Sequence, residues 1–184
     1  MPTFVTHAVV GVALGQAAPP TARKDPRFWY AAAICSMLPD VDVIGHRLGW
    51  HWGDVWEHRG FTHSLLFAAL TGMVAGFLLG KTRLERLKLI LLLILITASH
   101  GILDAMTNGG LGIAFFSPFD TTRYFLPWRP LQVTPIGLQL ARINQILFSL
   151  RREMLLVWPL AVLLGLGLYA LRRRWDARPA SGAG

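Results

Sequence analysis

Cysteine is almost absent: Cys35 is the one thiol in 184 residues, which excludes an intramolecular disulfide and any thiolate metal cluster. Charge is scarce too. Charged residues make up 15% of the chain against 53% hydrophobic, with a mean hydropathy of +0.45, more apolar than an ordinary soluble domain of this size. Acidic residues are the scarcer sign, 10 against 18 Lys and Arg. No basic segment precedes the first apolar run and His7 interrupts it, so that run reads as a retained helix rather than a cleaved leader. HExxH does not occur, which excludes a protease built on that motif.

What remains is apolar sequence in blocks. Residues 4–18, 28–44, 64–80, 89–106 and 154–171 approach the roughly 20 apolar residues that cross about 30 Å of hydrocarbon. They predict an all-α, polytopic membrane helical bundle of about five transmembrane helices, with the lipid bilayer as its solvent. IGLQLARINQILFSLRR, residues 136–152, alternates apolar and polar residues at helical spacing and predicts an interfacial amphipathic helix. One integral domain then covers residues 1–174, and residues 175–184 read as a disordered tail.

The net charge of +8 and pI near 10.8 do not mark a nucleic-acid surface, because the basic residues form no stripe with aromatics between them. Eleven of the eighteen Lys and Arg residues fall in three short segments, 23–27, 81–88 and 172–178. The positive-inside rule places those segments in the cytoplasm, so the N-terminus is expected outside and the C-terminus inside.

Ionisable residues within apolar spans are costly and mark function by default. On the topology set by Lys and Arg, His7 lies near the outer end of the first span, and Asp40 and Asp42 of LPDVD lie where the second reaches the outside. His58 and His63 of HRGFTHS flank the outer start of the third, and His100 and Asp104 of SHGILD lie near the outer end of the fourth. Different residues set the orientation and form this convergence, so their agreement carries weight.

Spacing adds chemistry. His100 and Asp104, four apart, share a helix face. Pro39 breaks or kinks its helix before two carboxylates that can bracket one cation or bridge two. His58 and His63 converge only if the chain turns at Gly60, with Thr62 or Ser64 capping the next helix. Four histidines and three carboxylates exceed what one four-coordinate zinc ion uses. They predict two or three divalent ions held by nitrogen and oxygen, zinc first, with manganese and magnesium as alternatives.

Each feature has a plainer reading. A lone His7 is a hydrogen-bonded core residue, LPDVD a helix end, and His46 and His51 residues of a wet loop. Glu153 pairs with Arg151 or Arg152 at a helix start, and the tryptophans form an interfacial belt. It is their convergence that favours a metal site. An ion transporter would spread polar residues through the bundle, whereas the cytoplasmic halves of these spans are nearly free of them. A structural metal site is the remaining alternative.

THAVVG, LPDVD, HRGFTHS, SHGILDAMTNGG, SPFD and WRP together resemble the bacterial family of membrane-bound metal-dependent hydrolases called YdjM-like. HRGFTHS is the most specific of these motifs. The family is similar, at a distance, to the zinc-dependent phospholipase C and P1 nuclease group, helical enzymes that cleave phosphoesters with three zinc ions. The resemblance implies phosphoester hydrolysis in the bacterial inner membrane, with His7, Asp40, Asp42, His58, His63, His100 and Asp104 as ligands. This chain begins MPTF and lacks the N-terminal tryptophan ligand of the soluble enzymes.

A site at the membrane surface favours an amphiphilic substrate carrying phosphate. Asp42 or Asp104 would bridge ions or accept a proton. Arg59, between two candidate ligands, suits a phosphate through its planar fork, with Arg47, Arg123 and Arg129 as weaker candidates.

Overall fold

A computed structural model describes residues 2–47, 55–134 and 143–176. The helices are α1 (Phe4–Gly15), α2 (Pro20–Arg23), α3 (Pro26–Met37), α4 (Val43–Arg47), α5 (Leu65–Leu79), α6 (Arg83–Ala105), α7 (Ile143–Leu156) and α8 (Trp158–Asp176), with 3-10 turns at Leu38–Asp42 and Phe61–His63. Three helical stretches are long and apolar enough to cross a membrane: Pro26–Gly45, Arg83–Ala105 and Ile143–Asp176. Phe4–Gly15 and Leu65–Leu79 are shorter apolar helices. The five expected spans therefore take the form of three long helices and two short ones.

The amphipathic segment is helical from Ile143, as expected. From Ile143 onward it is the first part of a 34-residue helical stretch that continues through α8, and it buries Ser149 and Glu153. Residues 136–142 of that segment lie outside the described residues.

Small residues set how closely the helices approach. A Cβ on Gly72 would stand 2.5 Å from the backbone nitrogen of Ile94, and one on Gly76 would stand 2.5 Å from that of Ile90. Glycine at these positions lets α5 and α6 pack backbone against backbone, the usual way helices associate in lipid. At the end of the bundle where α3 and α6 begin, the core is apolar: Phe28, Ala32, Cys35, Leu89, Leu93 and Ile96. The polar residues gather at the other end.

The N-terminus of α1 is held by a carboxylate 150 residues away. Glu153 accepts hydrogen bonds from the backbone N–H of Thr3 at 3.0 and 3.1 Å and from the hydroxyls of Thr3 and Thr6 at 2.6 Å each. Trp158 Nε1 donates to the Thr6 hydroxyl at 2.9 Å. A helix start has unpaired N–H groups and a positive dipole end, and Glu153, 1% exposed, meets both. Among the described residues it neither pairs with its arginine neighbours nor joins the groups of His and Asp that could hold a metal ion. Hydrogen bonds to a charged group are worth about 1.5–3 kcal/mol, so Glu153→Gln is expected to lower stability by about that amount, read as a fall in Tm in detergent.

Candidate metal centre

The α-helix α3 ends at Met37, directly before LPDVD. Pro39 enters a 3-10 turn that links α3 to α4, and with three residues per turn side chains two apart diverge. Asp40 and Asp42 accordingly meet different neighbours. In HRGFTHS the chain does turn at Gly60, where Gly60 N–H donates to Glu57 O at 2.8 Å and Phe61 N–H to Val55 O at 2.7 Å. Any Cβ on Gly60 would stand 2.3 Å from Val55 O, so only glycine fits. Ser64 caps α5, accepting from Phe67 N–H at 3.1 Å. Thr62 instead donates to Asp42 Oδ2 at 2.6 Å.

These turns bring Asp40, His63, His100 and Asp104 together. His63 Nε2 lies 3.1 Å from His100 Nε2, 3.4 Å from Asp104 Oδ2 and 3.7 Å from Asp40 Oδ1. His100 Nε2 is 3.3 Å from Asp40 Oδ1. Ligands about 2.0–2.1 Å from a tetrahedral zinc ion are about 3.3 Å from one another, so the donor spacing suits one such ion. Satisfaction points the same way: both oxygens of Asp40 and both of Asp104 are buried with no hydrogen-bond partner among the described residues. His100 Nδ1 lies 2.8 Å from the backbone oxygen of Ser36. A carbonyl only accepts, so Nδ1 carries the proton and the Nε2 lone pair faces the cluster, the arrangement that orients a metal-binding histidine.

Asp42 is held differently. It contacts His58 Nδ1 at 2.7 Å and His63 Nδ1 at 3.1 Å, and it also accepts from Arg59 N–H at 3.1 Å and from Thr62. Its oxygens are thus engaged where those of Asp40 and Asp104 are not. Asp42, His58 and His63 are also close enough to hold an ion, but these bonds suit Asp42 to aiming His63. His7 stacks on His100 with ring centroids 3.7 Å apart. Its Nε2 is 3.5 Å from Asp104 Oδ1, and neither ring nitrogen has a hydrogen-bond partner. Burial opposes a charge on His63, yet the carboxylates of Asp104, Asp40 and Asp42 outweigh it and raise its pKa well above the ordinary 6.5.

Arg59 lies inside the protein, 2% exposed, with φ at +70°, a conformation that costs a non-glycine residue about 1–3 kcal/mol. Its guanidinium donates to Gly109 O at 2.8 Å and to Thr107 Oγ1 at 2.9 Å, and its Nε is 3.4 Å from Asp104 Oδ2. Arg123 reaches His58 O at 3.3 Å and Glu57 at 3.4 Å. Arg129 is exposed and stacks over Phe125, 4.9 Å from the ring centroid. The side chains of Arg47 and His46, and all of His51, fall outside the described residues. Sequence reasoning gave Thr62 a capping role rather than its bond to Asp42, and missed Thr107 and the backbone of Ser36 and Gly109. Thr107 at least lies within the quoted SHGILDAMTNGG, whereas a backbone acceptor leaves no mark in a sequence.

A family profile described as YdjM inner membrane protein matches residues 1–175. The chain belongs to the YdjM family. Its curated relatives include the inner membrane protein YbcI of Escherichia coli (strain K12), 36% identical over 95% of this chain and 100% of that protein. Another is the uncharacterized protein YvsG of Bacillus subtilis (strain 168), 32% identical over 68% of this chain and 78% of that one. No solved structure matches the chain.

For this YdjM-family protein the donor arrangement sets two expectations. Asp40→Ala or Asp104→Ala should abolish stoichiometric metal binding, whereas Asp42→Asn, which only loosens a histidine, should weaken it about 10–100-fold; metal titration with elemental analysis distinguishes the two. The second concerns pH. A histidine whose folded pKa is raised stabilises the metal-free fold fully below about pH 6.5, and that contribution is lost as pH rises through the folded value. Metal ligands must be deprotonated, so a bound ion acts in the opposite sense. Between about pH 6 and pH 8, the Tm of chelator-stripped protein should fall while the gain in Tm on adding zinc should grow. His63→Gln should remove the fall.

Proposed function

We propose that this chain is a membrane-embedded metal-dependent hydrolase that cleaves a phosphoester of a lipid or other amphiphile with a metal-activated water. Residues 1–174 form one integral membrane domain on this reading, a multi-pass bundle of the inner membrane with its site on the extracytoplasmic side, as the Lys and Arg distribution supports. The observation that carries the proposal is the quartet Asp40, His63, His100 and Asp104, at separations that suit one divalent ion and with carboxylates no hydrogen bond satisfies.

When bound there, a divalent ion supplies a water of lowered pKa and polarises the substrate's phosphoryl oxygen. The protein's own groups do the rest. Asp42 and Ser36 aim His63 and His100. Asp104 Oδ1, facing His7 Nε2 at 3.5 Å, passes the proton lost by the water to His7. Arg59, with its donors turned to Asp104, Thr107 and Gly109, orients Asp104 and ties the loops together. Arg123, on the loop after α6 and in contact with His58 O of the HRGFTHS segment, takes the role of phosphate anchor.

The test is hydrolysis in nanodiscs loaded with zinc or manganese, over phospholipids and polyprenyl phosphates, with release of phosphate and of phosphorylated head group both followed. Turnover of one class is expected, reduced about a hundredfold or more in His7→Gln with metal retained. Stoichiometric metal without cleavage across the panel would make the site structural; no metal at all would favour an ion pathway.

A further inference from the structure

Two helices that hold the metal-ligand cluster also wall a second feature. α1 contributes His7 to the cluster and Val10, one turn on, to an apolar cleft of about 250 Å³. α6 contributes Asp104 to the cluster, while Leu103 and Met106, on either side of it, line that same cleft. Leu131 and Trp128 of the loop after α6 complete one side. That loop is tied to the end of α6 by Leu126 N–H to Ala105 O at 2.9 Å and Leu131 N–H to Met106 O at 3.2 Å. The remaining wall is the junction of α7 and α8, where Leu160 and Leu164 are 63% and 45% exposed.

Chemistry narrows the occupant. Apart from the Trp128 indole, no lining side chain donates or accepts a hydrogen bond. A peptide seated there would leave backbone groups unpaired, and water would fare no better. A hydrocarbon chain has no such groups, and the exposed face of α8 through Leu160 and Leu164 is continuous with the surface that meets lipid.

We infer that this cleft binds one hydrocarbon chain of the amphiphile whose phosphate head group the metal centre works on. The inference rests on the hydrolase reading for the head group alone; the chain site stands on the cleft. A larger apolar cleft of about 590 Å³ lies between α1 and α8, lined by Val12, Val162 and Tyr169 among others. It takes no wall from α6 or from the loops, so α1 alone would link a chain there to the centre.

The experiment uses metal-loaded protein in phosphatidylcholine nanodiscs holding a trace of phosphatidic acid with a diazirine midway along one acyl chain. After photolysis, labelled residues are mapped by mass spectrometry and bound metal is counted in parallel. Label is expected to concentrate on Met106, Leu160 and Leu164 over Leu163, which is exposed on the same helix. Leu160→Trp should cut cleft labelling about tenfold, the effect of excluding two methylenes, while Leu163→Trp leaves it unchanged and both variants keep their metal. Even labelling of Leu163 and the cleft, or a cleft signal indifferent to Leu160→Trp, would overturn the inference and leave the hydrolase reading standing. Concentrated label on a protein that binds no metal would support the chain site and overturn its tie to a phosphoester centre.

Discussion

Two buried carboxylates without hydrogen-bond partners among the described residues, Asp40 and Asp104, set the terms for the polar end of this bundle. An isolated charge in an apolar interior costs far more than a fold of ordinary stability can bear, and it persists only beside opposite charge. Here that charge comes from His63, Arg59 and, in the proposed function, a divalent ion. The surrounding features serve that placement. The 3-10 turn separates Asp40 from Asp42, the tight turn at Gly60 returns His63 towards His100, and the strained backbone of Arg59 lets its side chain reach Asp104.

The two ends of the bundle therefore obey different physics. Around Phe28 and Leu93 the helices need only fill space with hydrocarbon. Around His100 every group must be aimed as well as packed, and the aim is supplied by residues outside the quartet. Ser36 fixes the proton on His100, Thr62 and Arg59 N–H hold Asp42, and Glu153 fixes the start of α1, from which His7 projects.

Much of this was legible in the residues. The apolar runs marked the helices because few polar side chains interrupt them, and the convergence of His and Asp at one end of the bundle was visible because each lies at the matching end of its apolar run. The i, i+4 spacing of His100 and Asp104 carried over directly, since α6 is regular there. The division of labour between Asp40 and Asp42 was not legible. It depends on a 3-10 turn rather than an α-helix, and no spacing rule distinguishes the two in five residues. Arg59 suggested a phosphate ligand by its position between histidines, but its contacts across the fold, to Thr107 and Gly109, turn it inward. Glu153 had only sequence neighbours to suggest a partner, and its partners lie 150 residues away.

The shortness of two helices has a consequence for the lipid itself. α1, with 12 residues, is about 18 Å long and α5, with 15, about 22 Å, against about 30 Å of hydrocarbon. A helix shorter than the bilayer draws the bilayer in around it. Both begin at the polar end, α1 with His7 in its opening turns and α5 directly after His63. If both cross as the proposed function has it, the bilayer would thin around them, and the head-group layer would sink towards Asp40 and Asp104.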